Sequence, residues 1–328
     1  VEGRPAQLPA LPVQYGDYAV WQRKRIDGGH LDDALAYWGR QLDAVPALRF
    51  QSASSSGEKS AQIGPSGTTY VHALPTSLAA DMATLCKQAH VTSYMLLLTA
   101  YKLLLSHHAQ LDDIVVGTPV ANRTRPETEP LIGRFMQPLV LRTDLANALT
   151  FDDALNQVRN VCLDGHTHHE VPFELLVQRF HSEPWTPNRM PFYQVMFTLD
   201  DHALESPIAL LGLDVEVLTQ NEIITMRGCD LYLRVANDKH GELVTNWQYN
   251  TELFDEEYIV QFAKEYEDIL SMAVRQPSIE RKTISIRQNK REVDQQLVKE
   301  KVLQSTNIKK LKGIKRKSIR AKSKPSVR

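Results

Sequence analysis

Residues 106–145 read SHHAQLDDIVVGTPVANRTRPETEPLIGRFMQPLVLRTDL. IVVGTPVA (114–121) is short, β-branched and nearly free of charge, so it predicts a buried strand; PLVLRTDL (138–145) predicts another. A loop of Pro, Thr, Arg and Glu separates them. His107 and His108 close the apolar stretch before the first strand, and Asp112 follows after three residues. Imidazoles beside a carboxylate suit general acid–base chemistry. A helix C-terminus also favours histidine, through its dipole and through side-chain capping.

Working outward, Ser93 to about His107 sets Tyr94, Leu97, Leu98, Tyr101, Leu104, Leu105 and His108 along one side at helical spacing. Ser77 to about Ala89 predicts a helix before it, TTYVHALP (68–75) a strand, and LDDALAYWGRQL (31–42) a further helix. Residues 1–14 are Pro-rich and predict an extended linker, and 51–67 form a polar Ser/Gly loop. Downstream, Phe151 to about His166 predicts a helix capped by Thr150, and Pro172 opens a shorter one. Four strand candidates follow, FYQVMFTL, LDVEVLT, LYLRVAN and LVTNWQYN; DKHGE joins the last two as a tight turn. A helix from about Asp255 to Ala273 ends the series. Helices and strands intermix, so the class is α/β or α+β, a mixed sheet flanked by helices.

The chain has 328 residues, 42% of them hydrophobic, and a net charge of −1. That charge is unevenly spread. Residues 281–328 hold 17 Lys and Arg against 3 Asp and Glu, leaving 21 basic and 36 acidic residues in the first 280. An acidic globule thus carries a basic tail. The tail lacks aromatic residues for base stacking and reads as a docking arm, a linker or solvated chain, with no specific nucleic-acid role. The longest apolar run, YMLLLTAYKLLL, is interrupted by Lys102 and is too short to span a bilayer. Cys86, Cys162 and Cys229 show no metal spacing and are odd in number, which suits a reducing cytoplasm. VEGRPAQLPALP is no signal peptide, and the missing initiator Met implies a start inside a longer polypeptide. We divide the chain into a Pro-rich approach (1–30), a globular lobe (31–276) and a basic, largely disordered tail (277–328).

Five segments, in order, resemble the condensation domain of nonribosomal peptide synthetases. LPALPVQYGDYAVWQR is similar to its Pro-rich lead and YxDFAVW motif, at Tyr15, Asp17 and Trp21. Residues 111–145 resemble the block that holds its IGxFVNTLxLR motif. HHEVPFELLV resembles (H/N)QDxPFExLV, PNRMPFYQVMF resembles SRNPLFQVMF, and YNTELFD matches the stretch before the last helix. The resemblance implies the C-terminal lobe of a chloramphenicol acetyltransferase-like fold. It also implies peptide-bond formation between aminoacyl or peptidyl thioesters on carrier proteins, in a tunnel between two lobes. No cofactor is bound directly; the phosphopantetheine arms belong to the partner carrier proteins.

In that family the catalytic HHxxxDG lies in the first lobe, before the Pro-rich lead. The resemblance therefore implies that this chain lacks it and is inactive alone, with the first lobe supplied by a neighbouring synthetase subunit. His107 and His108 are read as a decoy, because DDIVVGTPVANR matches a second-lobe segment and Asp113 stands where the glycine should be. Asn122, Arg123, Gly133, Phe135, Gln137 and Pro138 are the implied tunnel or floor residues; Gln137 and Pro138 depart from the family's Asn-Thr. Tyr15, Asp17, Trp21, Arg142, His169, Pro172, Phe173 and Glu174 are read as structural, with Arg142 and Asp144 as a charge pair or solvent-facing. HTHHE (166–170) fails the HExxH pattern, so no metal is expected. GGHL (28–31) lacks the serine a carrier protein needs, PSGTT (65–69) lacks a following Gly-Lys, and His181 with Ser182 forms no specific triad. The alternatives are a non-catalytic module that recruits a carrier protein or tailoring enzyme, and a truncated remnant.

Overall fold

A computed structural model describes residues 9–50, 67–181, 189–200, 228–238 and 240–288. The elements are α1 (Tyr15–Asp27), α2 (Asp32–Gln41), β1 (Gly67–Ala73), α3 (Thr76–Ala89), α4 (Ser93–Ala109), β2 (Asp113–Val120), β3 (Gln137–Asp144), α5 (Phe151–Thr167), α6 (Phe173–Phe180), β4 (Val195–Asp200), β5 (Leu231–Asn237), β6 (Leu243–Asn250) and α7 (Glu256–Arg275). A short 3-10 turn at Pro126–Thr128 interrupts the β2–β3 loop. LDVEVLT lies outside the described residues.

The strands form one mixed sheet in the order β1-β6-β5-β4-β2-β3. The hairpins β2/β3 and β5/β6 and the pair β1/β6 are antiparallel, whereas β4 runs parallel to β2 and β5. Alternation in β5 explains its placement. Leu231, Leu233 and Val235 are buried while Tyr232 and Arg234 are only partly so, the pattern of a strand with one face on a core. In the β2/β3 register Pro119 faces Pro138, so neither residue of that rung can donate a hydrogen bond.

Helices α3, α4, α5 and α7 form the layer against this sheet, with α4 at its centre. The sequence pattern predicts one apolar side for α4, but every residue from Leu96 to His107 is buried. The physical reason is its position between the sheet and three other helices, which leaves no solvent face. Lys102 is consequently buried in full. Its Nζ donates to the carbonyl of Leu141 (2.6 Å), Thr143 Oγ1 (2.8 Å) and the carbonyl of Ile114 (3.3 Å). Three acceptors match the three N–H bonds of an ammonium, while burial pulls its pKa down to about 7. Trp247 is wholly buried between Tyr101, Phe262 and Tyr266, with ring centroids 6.0, 6.3 and 5.6 Å away.

Caps fix the helix ends. Thr150 Oγ1 accepts from the Asp153 amide, and the Asp153 carboxylate accepts from the Thr150 amide in return, a capping box. Thr92 and Asp255 cap α4 and α7 singly, their side chains accepting from the Met95 and Tyr258 amides. The sequence pattern predicts no helix over 15–27. Here α1 forms, with Asp17 closing its own capping box. It buries no residue outright, so no apolar stripe announces it.

The chain divides into two units, Val1–Arg281 and Lys282–Arg328. The first extends past residue 276. The carbonyls of Pro277 and Ile279 accept from the Asp152 and Phe151 amides, and the Arg281 amide donates to Leu149. Arg281 also pairs with Asp112 at 2.7 Å. In the second unit residues 282–288 are helical.

Candidate functional site

The histidine pair belongs to the core. α4 ends with Gln110 in the left-handed conformation at φ 52°, and the Gln110 side-chain amide donates to the His107 carbonyl at 2.5 Å. His107 is buried. His108 Nε2 lies 2.7 Å from Glu265 Oε2, and its Nδ1 lies 3.2 Å from the Tyr258 hydroxyl. Gln261 donates to the other Glu265 oxygen at 2.7 Å. Glu265 is 1% exposed and the His108 side chain 6%. This cluster joins α4 to α7. Asp112 pairs with Arg281, away from His108.

The residues that the family resemblance points to gather elsewhere, where α1 meets the β2–β3 loop (121–136). Asn122 turns the chain at φ 51°, a conformation Asn tolerates. The Arg123 guanidinium lies 4.2 Å from the Phe135 ring centroid and donates to the carbonyls of Thr128 and Glu129. Phe135 meets Tyr15 edge-on at 5.2 Å and Tyr18 at 4.7 Å. The Tyr15 hydroxyl donates to the Arg134 carbonyl at 2.9 Å. Gly133 permits this close approach, because a Cβ there would fall 2.2 Å from the Tyr15 ring. Tyr18 continues the series to Trp21, and the guanidinium groups of Arg25 and Arg125 lie 5.2 and 4.6 Å from the Trp21 ring. Alternating rings and guanidiniums thus stitch the loop to α1. A shallow crevice opens beside Trp21, lined also by Gln22, Asn122 and Thr124.

The α5–α6 turn forms the third side. Gln137, at the start of β3, is committed to it: its Nε2 donates to the His169 carbonyl at 2.5 Å, and its Oε1 accepts from the Phe173 amide at 3.3 Å. The Pro138 side of that rung carries no donor. Phe173 is buried against Phe192 and Tyr193, with Pro172 as the residue before the helix. Glu174 pairs with Arg134 at 3.0 Å on the surface, and Glu170 with Arg25 at 2.5 Å. Trp38 donates to the His168 carbonyl, and Tyr37 stacks on the His168 ring at 4.0 Å, which ties α2 to the same turn.

Arg142 is paired with Asp113 rather than with Asp144. Nε and Nη2 reach the Asp113 carboxylate at 3.0 and 2.7 Å, and Nη1 caps α2 through the carbonyls of Gln41 and Asp43. The register explains the choice, since Asp144 faces Asp113 across the β2/β3 pair and spends an oxygen on the Ala146 amide. The hydrogen bonds to Asp113 are the main reason the Arg142 pKa is raised. His166, His168 and His169 each point Nδ1 at a carbonyl of their own helix or turn. Among the described residues no group of His, Cys, Asp or Glu is placed to hold a metal ion. Burial pushes the Cys162 and Cys229 thiols up to about 11 and 12, which keeps them protonated and unreactive.

Sequence reasoning missed Tyr18, Arg25 and Arg125. The i, i+3 and i, i+4 spacing of Tyr18, Trp21, Gln22 and Arg25 is the signal that would have found the helical ones; Arg125 has none, since loop packing brings it to Trp21.

The Condensation domain family matches residues 2–297. A subunit of the linear gramicidin synthase of Brevibacillus parabrevis is 33% identical over 276 residues, 84% of this chain but 4% of that protein. The X-domain from teicoplanin biosynthesis superposes with a TM-score of 0.73 at 22% identity, covering 85% of this chain and 64% of that one; its complex with OxyB gives 0.70. The condensation domain of the monacolin K polyketide synthase MokA gives 0.68, also at 22% identity, over 84% of this chain and 64% of that one. The chain thus spans a small part of its curated relative and about two thirds of these solved domains. The mixed sheet and helical layer are those of the chloramphenicol acetyltransferase-like fold, and this chain belongs to the condensation-domain family of nonribosomal peptide synthetases.

Proposed function

We propose that this chain is the C-terminal side of a condensation domain and forms the floor and one wall of a tunnel for peptide-bond formation. In this reading the amine of a carrier-bound aminoacyl group attacks the thioester carbon of a donor on a second carrier. A peptide bond forms, the carbon–sulfur bond breaks, and the donor arm leaves as the free thiol. Phosphopantetheine arms of the partner carrier proteins bring both substrates, and the cytoplasm is the compartment. HHxxxDG does not occur in the 328 residues. The catalytic imidazole then comes from residues outside them, on the same or a neighbouring polypeptide, and these residues alone are inactive. Asn122, Arg123, Gly133 and Phe135 shape the floor; Gln137 and Pro138 set where the β3 end of the wall stands.

The observation that carries the reading is the family match over residues 2–297 together with the loop 121–136 held on α1 by the ring and guanidinium series. The test is titration of an isotope-labelled peptidyl carrier domain, in its phosphopantetheinylated form, with the chain. Shifts confined to one side of the carrier support the reading, and an unperturbed carrier spectrum refutes it.

A second reading is recruitment of a tailoring enzyme. It is favoured by the likeness to an X-domain solved in complex with OxyB. Capture of a tailoring enzyme from its own biosynthetic system, with no carrier binding, would select that reading. Binding of neither partner would leave a remnant.

A further inference from the structure

We propose that the outer side of the segment 131–136, together with Glu174, is a self-association surface that pairs with the same surface of a second copy of this chain. The segment alternates. Leu131 and Phe135 are buried, Gly133 lies against the Tyr15 ring, and Gln137 continues the inward row into β3. Ile132, Arg134 and Met136 take the intervening positions and form the outward row, as in an extended chain with one face on a core. Ile132 is 95% exposed and Met136 62%. Arg134 stands between them and pairs with Glu174 at 3.0 Å, with 75% and 64% of the two side chains open to solvent. Two large apolar side chains therefore flank an exposed ion pair. The backbone beneath them is held by the Tyr15 hydroxyl on the Arg134 carbonyl and by Arg123 over Phe135.

Such a surface complements itself. Where two copies meet across a two-fold axis, residue i of one faces residue j of the other, and j faces i. Ile132 and Met136 each sit two residues from Arg134. With the two extended segments antiparallel and Arg134 at the axis, Ile132 comes opposite the partner's Met136, and Met136 opposite the partner's Ile132. Each Arg134 then lies between its own Glu174 and the partner's Glu174, so charges of alternating sign close the centre. The flanks take from water the apolar area that each copy alone leaves in it. A net charge of −1 on 328 residues sets no long-range repulsion between copies. So few contacting residues make a weak, reversible pair, with a Kd of about 10–100 µM. The proposal stands on exposure and charge and does not depend on the tunnel reading above.

The experiment is sedimentation equilibrium of the full chain at concentrations from about 1 to about 500 µM, which bracket that Kd. Monomer at the low end and dimer at the high end are expected. Each substitution counts twice in a two-fold contact, so Ile132→Asp should weaken the dimer about a hundredfold. Arg134→Glu gathers only carboxylates at the centre and Glu174→Arg only guanidiniums, so each variant alone should stay monomeric. Mixed in equal amounts, these two should form a heterodimer, because an all-acidic centre then meets an all-basic one. An ion pair that acts only within one chain gives no such recovery. The three side chains are exposed, so the variants fold, as thermal unfolding will check. A wild-type chain that stays monomeric throughout overturns the surface and leaves this face to a different partner. A dimer indifferent to Ile132→Asp also overturns it, and puts the contact elsewhere on the chain. Mixed charge variants that fail to associate, with the Ile132→Asp effect intact, overturn the exchange of charges at the axis.

Discussion

Replacing Lys102 by Met should remove a rising limb from the pH dependence of stability. Lys102 is wholly buried and its pKa falls from 10.5 to about 7, chiefly through desolvation. Between those values the unfolded chain holds a proton that the folded chain does not, so stability increases as pH rises. As pH falls, that increment is lost down to about 7, and below 7 the term is constant. The slope is about 1.4 kcal/mol per pH unit. Above pH 9 the buried Cys162 and Cys229, raised from 9.0 to about 11 and 12, oppose it, because their folded forms resist ionisation. The clean window is therefore pH 7 to 9, and the gain across it is about 2–3 kcal/mol. Urea unfolding at pH 7, 8 and 9 measures it. Wild type should gain that stability relative to Lys102→Met as pH rises across the window, since every other titrating group is common to both. Parallel pH profiles would refute the reasoning, and would mean that the three acceptors hold the ammonium charged throughout.

His108→Ala leaves Glu265, 1% exposed, without the imidazole it is hydrogen-bonded to and should cost about 1–3 kcal/mol in urea unfolding; a double-mutant cycle with Glu265→Gln should show a coupling of at least about 0.5 kcal/mol, and additivity would refute the pair. Gln137→Ala strips the α5–α6 turn of two hydrogen bonds, so it should lower stability by about 1–3 kcal/mol and speed amide exchange at Phe173, the latter unchanged if the tie is incidental. Burial raises the Asp230 pKa from 3.8 to about 6, so its neutral form favours the fold below 3.8 and that advantage is lost as pH rises through 6. Asp230→Asn should flatten the profile between pH 4 and 6; an unchanged profile would contradict it.

The residue pattern alone disclosed most of the architecture, for identifiable reasons. β2 and β3 are β-branched and charge-poor, α5 carries its capping box in Thr150 and Asp153, and α7 begins at a capping aspartate. Helix α1 was not visible, because it packs through half-exposed rings and guanidiniums rather than an aliphatic stripe. α4 looked one-sided because Lys102 and Ser106 are polar; burial of a lysine follows from the positions of the Leu141 and Ile114 carbonyls, which only the folded sheet supplies. The site was legible in part. The β2–β3 loop residues sit together, as their shared segment implies. Gln137 was recognised by position, yet its engagement with the turn at 169–173 depends on tertiary placement. The same limit explains Arg142, whose partner Asp113 is set by strand register rather than by sequence proximity to Asp144.

The most direct test is dipeptide formation between two carrier-bound aminoacyl thioesters, assayed with the 328-residue chain and with its His108→Ala variant. Neither protein should give product above the background of the carriers alone, because His108 is held between Glu265 and Tyr258. Product from the unmodified chain that disappears in a folded His108→Ala variant would contradict it, and would make the pair at 107–108 catalytic after all.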